Sequence, residues 1–223
     1  VTVLGDAADI PDGFDPQVVV FAVKPQQMDV VAPQYARFSA PGTVFLSIAA
    51  GTTIGYFEAR LGSDAAIVRA MPNTPAAIGQ GITVLCPNGN TSDDQASLCQ
   101  ALMLAVGEAV MVDDEALIDP VTALSGGGPA YVFLLIECLA EAGVQSGLPA
   151  DLSARLALAT VAGSGQLALS GDEPPAQLRK NVTSPGGTTL EALKILMADD
   201  GLQPLLTRAI AAATRRSQEL AGG

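Results

Sequence analysis

The sequence predicts a doubly wound α/β domain followed by an all-helical domain. Two observations carry this. In the first half, short β-branched apolar runs alternate with helical stretches. From residue 114 onward helices follow one another without a convincing strand, and Ala is abundant, as at Ala157, Ala159, Ala162, Ala168 and Ala211-Ala212-Ala213. A chain of 223 residues is long enough to bury a sizeable core.

The apolar runs lie at 18–23, 44–48, 65–70, 82–86 and 109–112. They are continuous rather than alternating, which is how strands buried on both faces of a parallel sheet read. Residues 1–4 read as a further interior strand. Helices are expected at 26–38, 53–61 and 92–106, the last opened by the capping residues Thr91-Ser92-Asp93-Asp94. The rhythm stops near Asp113, which divides the chain into 1–113 and 114–223. In the second part helices are expected at 115–124, 130–145, 150–169, 188–198 and 202–220. Breaks are expected at 125–129, 146–149, 171–175 and 184–187, where Gly, Pro and Ser cluster. Small residues on both helix faces favour close packing.

Composition excludes several functions. Lys and Arg total 11 against 23 Asp and Glu, giving a formal net charge of -12 and a pI near 4.2. Neither a phosphate backbone nor an anionic membrane surface is matched by such a chain. There is no His, so Ser-His-Asp triads are excluded and the commonest metal ligand is absent. The three cysteines, Cys86, Cys99 and Cys138, lie far apart and read as small buried hydrophobes rather than disulfides or a zinc site. No metal is expected. Free thiols and an Asp-broken start point to the cytoplasm, and no uninterrupted apolar run reaches membrane-spanning length. Charged residues are only 15% of the chain and apolar residues 49%, which implies that much of the surface is buried in a partner subunit.

Four segments carry chemistry. Ala22-Val23-Lys24-Pro25, Ser47-Ile48-Ala49-Ala50-Gly51 and Arg69-Ala70-Met71-Pro72-Asn73-Thr74-Pro75 each follow a predicted strand. Ligands of open α/β sheets bind beyond the carboxyl ends of strands. Lys24 places a cation there, the small residues allow close backbone approach, and two prolines stiffen the third loop. Singly, each also reads as an ordinary connection; three in succession are harder to dismiss. The fourth segment, 181–190 (NVTSPGGTTL), is a Gly-rich turn into a helix, where free N–H groups and hydroxyls suit a small carboxylate. A further cluster, Ser125-Gly126-Gly127-Gly128-Pro129, reads as close helix packing or a hinge.

Taken together and in order, AVKP, AAG, MPNTP, LSGGGPAYVF and NVTSPGGTTLEAL resemble the pyrroline-5-carboxylate reductases. The resemblance implies a Rossmann-type N-terminal domain and a helical substrate-binding domain through which a homodimer forms, in some members within a larger ring. It implies hydride transfer from NADPH or NADH to the imine carbon of 1-pyrroline-5-carboxylate, giving L-proline. It gives Ser184, Gly187, Thr188 and Thr189 the substrate, with Thr189 on the ring nitrogen, and has Glu115 approach the substrate across the dimer. It has Ala22, Val23, Lys24, Pro25, Ala49, Ala50, Asn73 and Asn181 line the cofactor groove, Asn181 at the nicotinamide end.

Two departures stand out. Gly127 stands where the family usually has Ser. No G-x-G-x-x-G follows an initial strand, so the first βαβ unit of the nucleotide-binding fold is expected to be missing. The alternative is a non-catalytic oligomerisation or proline-binding relative that has lost cofactor binding. A third reading, a β-hydroxyacid enzyme using a helical Lys such as Lys194, has no motif around that residue.

Overall fold

The computed structural model describes residues 1–222. Five strands, β1 Val18–Phe21, β2 Val44–Ser47, β3 Ala66–Met71, β4 Gly81–Pro87 and β5 Gly107–Met111, form one sheet in that order. β1, β2 and β3 are mutually parallel, with Phe21, Ser47 and Arg69 in register. β4 runs antiparallel to β3, and β5 parallel to β4. The sheet is therefore mixed rather than parallel throughout. The reason is the connection: only 72–80 join β3 to β4, and a parallel crossover needs a dozen or more residues. Residues 1–4 form no strand. They are exposed and pair with no neighbouring ladder that would hold them extended.

Helices cover both faces of the sheet. On one lie α1 Met28–Val31, extended by 3₁₀ turns to Phe38, and α2 Ile54–Leu61. Pro33 inside the predicted 26–38 helix removes a backbone donor, which explains the change to 3₁₀ geometry. Phe21 stacks against Phe45 and Phe57 there, at centroid distances of 5.9 and 5.2 Å. On the other face α3 Asp93–Leu104 begins at a capping box formed by Ser92 and Gln95, and Cys99 joins Val44, Leu46, Val68 and Leu85 in a second core. α1 and α2 are also tied to each other: Asp29 accepts from the Tyr56 hydroxyl (2.7 Å) and from Arg60 (2.6 Å), whose guanidinium lies over the Tyr56 ring.

After β5, α4 Ile118–Val121 runs into a π turn at Thr122–Gly126, closed by Gly127 N–H to the Thr122 carbonyl at 2.9 Å. The glycine cluster expected as a break is thus carried in helical geometry, the extra residue being absorbed as an i→i+5 turn. Residues 1–127 form one compact unit together with the chain from Ile210 onward; residues 128–209 form a second. The second unit holds α5 Gly128–Gln145, α6 Ala150–Leu169, α7 Pro175–Asn181 and α8 Thr188–Leu196, and α9 Leu202–Ala221 starts in it. α7 occupies a stretch to which the sequence reading gave no helix. Pro175 sits at its first position, where a missing N–H costs nothing.

α5 and α6 are joined by the Ser153 hydroxyl, which donates to the Ala140 carbonyl at 2.6 Å. Yet no residue of α5 is buried, and only Ser153 and Ala157 are buried in α6. Val132, Phe133, Leu134, Leu135 and Leu139 stand exposed on α5. Cys138 is exposed with them, unlike Cys86 and Cys99. Because the helix continues through the glycine cluster, residues 115–145 make one stretch long and apolar enough to cross a membrane by length and composition.

The two buried thiols make a pH prediction. Burial pushes Cys86 up to about 11, with the Glu115 charge adding to it, and burial alone pushes Cys99 up to about 11, from an ordinary value of 9.0. The folded values lie above the unfolded one, so the stability tied to the protonated thiols is complete below that ordinary value and is lost as pH rises towards 11. Urea unfolding between about pH 8 and about pH 11 should show falling stability, with a shallower fall in the Cys86→Ala/Cys99→Ala variant. Identical slopes would contradict this origin.

Candidate functional site

Parallel pairing of β1, β2 and β3 puts their carboxyl ends side by side. The loops that follow, from Ala22, Ile48 and Pro72, therefore share one edge of the sheet. The Ile48 N–H donates to the Phe21 carbonyl at 3.1 Å, stitching the first two together. Ala22, Lys24, Pro25 and Ala50 are exposed there, Val23 is half-buried and Ala49 is buried. No ion pair holds the Lys24 ammonium among the described residues. Gly51 takes φ +75 and carries no Cβ against Leu220, whose own Cβ would lie 3.3 Å away.

Asn73 lies in the third loop, but its side chain is already engaged. Its Oδ1 accepts from the Ile82 N–H at 3.0 Å, and its Nδ2 donates to the Ser125 hydroxyl at 3.3 Å. It thereby pins the start of β4 and the π turn to the end of β3. Only its backbone and the outer face of its side chain are left for a ligand.

Beneath this edge sits a polar cluster that sequence reasoning missed. Arg69 of β3 is 3% exposed. Its Nη1 donates to Glu115 Oε1 at 2.8 Å, and its Nη2 lies 4.0 Å from Asp119 Oδ1. Glu115 Oε1 also accepts the Ile54 N–H at 2.8 Å, and Asp119 Oδ1 accepts the Ser217 hydroxyl at 2.6 Å. Nη2 makes no hydrogen bond. A buried guanidinium is tolerated only with such partners, and an unpaired one costs on the order of several kcal/mol. The available signal was one Arg inside the apolar strand sequence AIVRAM.

In the second unit, α7 and α8 frame the turn at 182–187. The Asn181 amide is engaged within it, donating to Glu173 at 2.9 Å and accepting from Gln177 at 2.8 Å. Thr183 donates to the Arg179 carbonyl at 2.6 Å. Gly186 adopts φ +72, which only glycine takes without strain. The Gly187 N–H donates to the Ser184 carbonyl at 3.0 Å, and Gly187 is the N-cap of α8 with no side-chain cap. The amides of Thr188 and Thr189 consequently have no acceptor among the described residues, and the Ser184, Thr188 and Thr189 side chains are exposed. Free N–H groups with three hydroxyls around a helix N-terminus make a receptor for a small anion. Lys194, further along α8, is paired with Glu191 at 2.7 Å.

The family model described as pyrroline-5-carboxylate reductase dimerisation matches residues 115–220. The reductase of that name from Pseudomonas aeruginosa is 46% identical over 207 residues, covering 93% of this chain and 76% of its own length. The chain belongs to the pyrroline-5-carboxylate reductase family. Among solved structures of that family, the reductase from Coxiella burnetii is 40% identical with a TM-score of 0.87, and 92% of this chain matches 76% of it. The Plasmodium falciparum pyrroline carboxylate reductase, solved with NADP bound, is 34% identical with a TM-score of 0.80, over 92% of this chain and 77% of that one. The chain thus spans about three quarters of the length of the reductases it matches.

The internal bonding of Asn73 makes a prediction for this reductase fold. Asn73→Ala strands the Ile82 N–H and should lower stability by about 1–3 kcal/mol. Urea denaturation measures it; an unchanged midpoint would show that water replaces the amide.

Proposed function

We propose that the protein reduces 1-pyrroline-5-carboxylate to L-proline with NADPH or NADH as the hydride donor. The observation that carries this reading is the TSPGGTT turn, with the free amides of Thr188 and Thr189 and the exposed hydroxyls of Ser184, Thr188 and Thr189, in a chain of the reductase family. The loops after β1, β2 and β3 fit a dinucleotide: Ala49, Ala50 and Gly51 keep the edge low, and Lys24 offers an unpaired cation for a phosphate. We assign Ala22, Val23, Lys24, Pro25, Ala49, Ala50 and the backbone of Asn73 to that groove. When bound, the dihydronicotinamide supplies the hydride.

The chain's own residues bind and orient. The amides of Thr188 and Thr189 and the hydroxyls of Ser184 and Thr188 hold the substrate carboxylate, at the positive end of α8. Gly187 contributes by shape, since its N–H is already bonded inside the turn. The Thr189 hydroxyl meets the ring nitrogen. The imine is basic enough to take a proton from water, and the iminium is the better hydride acceptor. No strong protein acid is needed, which fits a chain without His. For Glu115 we favour a role other than direct contact with the substrate, because its Oε1 is engaged by Arg69 and Ile54.

We further propose that residues 1–113 serve the dinucleotide and 114–223 the substrate and dimerisation. The exposed apolar faces of α5 and α6 support a homodimer, assembled into a larger ring or not, over insertion into a membrane. A cytoplasmic location fits the free thiols.

Loss of NADPH absorbance on addition of pyrroline carboxylate to the full-length protein tests the reading; no turnover contradicts it. Thr189→Ala should lower kcat/KM by about tenfold or more, one hydrogen bond to the reacting group being worth about 1–3 kcal/mol. Thr189→Ser should retain most of the activity. Wild-type kinetics in the alanine variant would remove Thr189 from the mechanism.

A further inference from the structure

Among the described residues Arg69 is the one charged side chain that is buried. It lies on β3, and its two acidic partners come from the segment after β5. Each acid holds something else. Glu115 Oε1 accepts the first N–H of α2, at Ile54, directly after the Ala49-Ala50-Gly51 loop. Asp119 Oδ1 accepts from Ser217 near the end of α9, and one turn on, Leu220 closes against Gly51 of the same loop. The loop is therefore gripped at both ends, at Gly51 by α9 and at Ile54 by Glu115, and a single guanidinium lies against the carboxylates of both grips.

We infer that Arg69 is a positioning residue for cofactor binding, acting through Glu115 on the 49–54 loop. The inference rests on the assignment of that loop to the cofactor groove. Without it, two carboxylates 2.8 and 4.0 Å from the guanidinium would lose their shared counter-charge. The Glu115 carboxylate, partly open to water, would then be better solvated outside the cluster, so the segment carrying it would turn outward and release the Ile54 N–H. The loop would then sample several conformations, and the cofactor would have to order it on binding. Net charge in the cluster is negative, so it is no receptor for a phosphate of its own. Chemistry at the substrate is untouched, because no atom of the cluster belongs to the 184–189 turn.

The test compares Arg69→Met, Arg69→Lys, Glu115→Ala and Glu115→Gln in the full-length protein. It measures NADPH dissociation constants by fluorescence, KM for each substrate, kcat and thermal midpoints. Arg69→Met and Glu115→Ala should weaken NADPH by about tenfold or more while kcat and KM for pyrroline carboxylate change by less than about threefold. Glu115→Gln keeps an acceptor for Ile54 and should lie near wild type; Arg69→Lys should fall between. Leu85→Ala, a core substitution on the other sheet face, controls for lost stability and should leave NADPH affinity unchanged. If Arg69→Met does not fold, Glu115→Ala reads the same link from its other end. NADPH affinity equal to wild type in the variants overturns the inference while leaving an active reductase intact. A rise in KM for pyrroline carboxylate instead would make Glu115 a substrate ligand and also overturn it. A wild-type protein that neither binds NADPH nor turns over would remove the functional reading itself.

Discussion

Parallel pairing of β1, β2 and β3 is the constraint on which the nucleotide side of this protein depends. Residues in register across three parallel strands end at one level, so whatever follows each strand is delivered to the same edge. Three loops far apart in sequence thereby become one surface. The antiparallel return of β4 closes that surface on one side, and the Asn73 amide fastens the return in place. Arg69, at the level where the ladder ends, then ties the segment after β5 and the last turn of α9 back under the same loops. A buried charge is an expensive fastening, and its use here sits directly under the place where the backbone must hold its shape.

The substrate side uses a different device. The turn between α7 and α8 engages its own Gly187 N–H and its Thr183 hydroxyl internally, and leaves the next two amides open. A helix start without a side-chain cap is unsatisfied by itself. Here the exposed hydroxyls of Ser184, Thr188 and Thr189 accompany it, and under the proposed function the shortage of partners becomes a means of holding a carboxylate. The absence of His fits a division of labour in which residues orient and the dihydronicotinamide supplies the hydride.

Much of this was legible in the sequence because it depends on local chemistry. β-branched runs gave five strands, the Ser92–Gln95 capping box marked the start of α3, and α6 was read at its observed bounds, 150–169. The motifs after β1, β2 and β3 and at α8 placed the candidate site residues at strand ends and at a helix start. What escaped was non-local. Strand direction at β4 follows from the length of one connection, and periodicity carries no direction. The Arg69 cluster joins residues up to 98 positions apart through Ser217 and Asp119. The internal bonds of the Asn73 and Asn181 amides, each made within its own unit, were likewise not legible. The glycine run at 126–128 read as a break, because a π turn leaves no composition signal different from a loop.

Everything proposed for the reaction depends on direct hydride delivery to the imine carbon. The most direct measurement supplies NADPH deuterated at the transferring position of its dihydronicotinamide ring to the full-length protein with 1-pyrroline-5-carboxylate, and reads the product by NMR. The expected product is L-proline carrying a single deuterium on Cδ, the ring carbon bonded to nitrogen that does not bear the carboxylate, placed on one face. Proline without deuterium, or no proline, would contradict it.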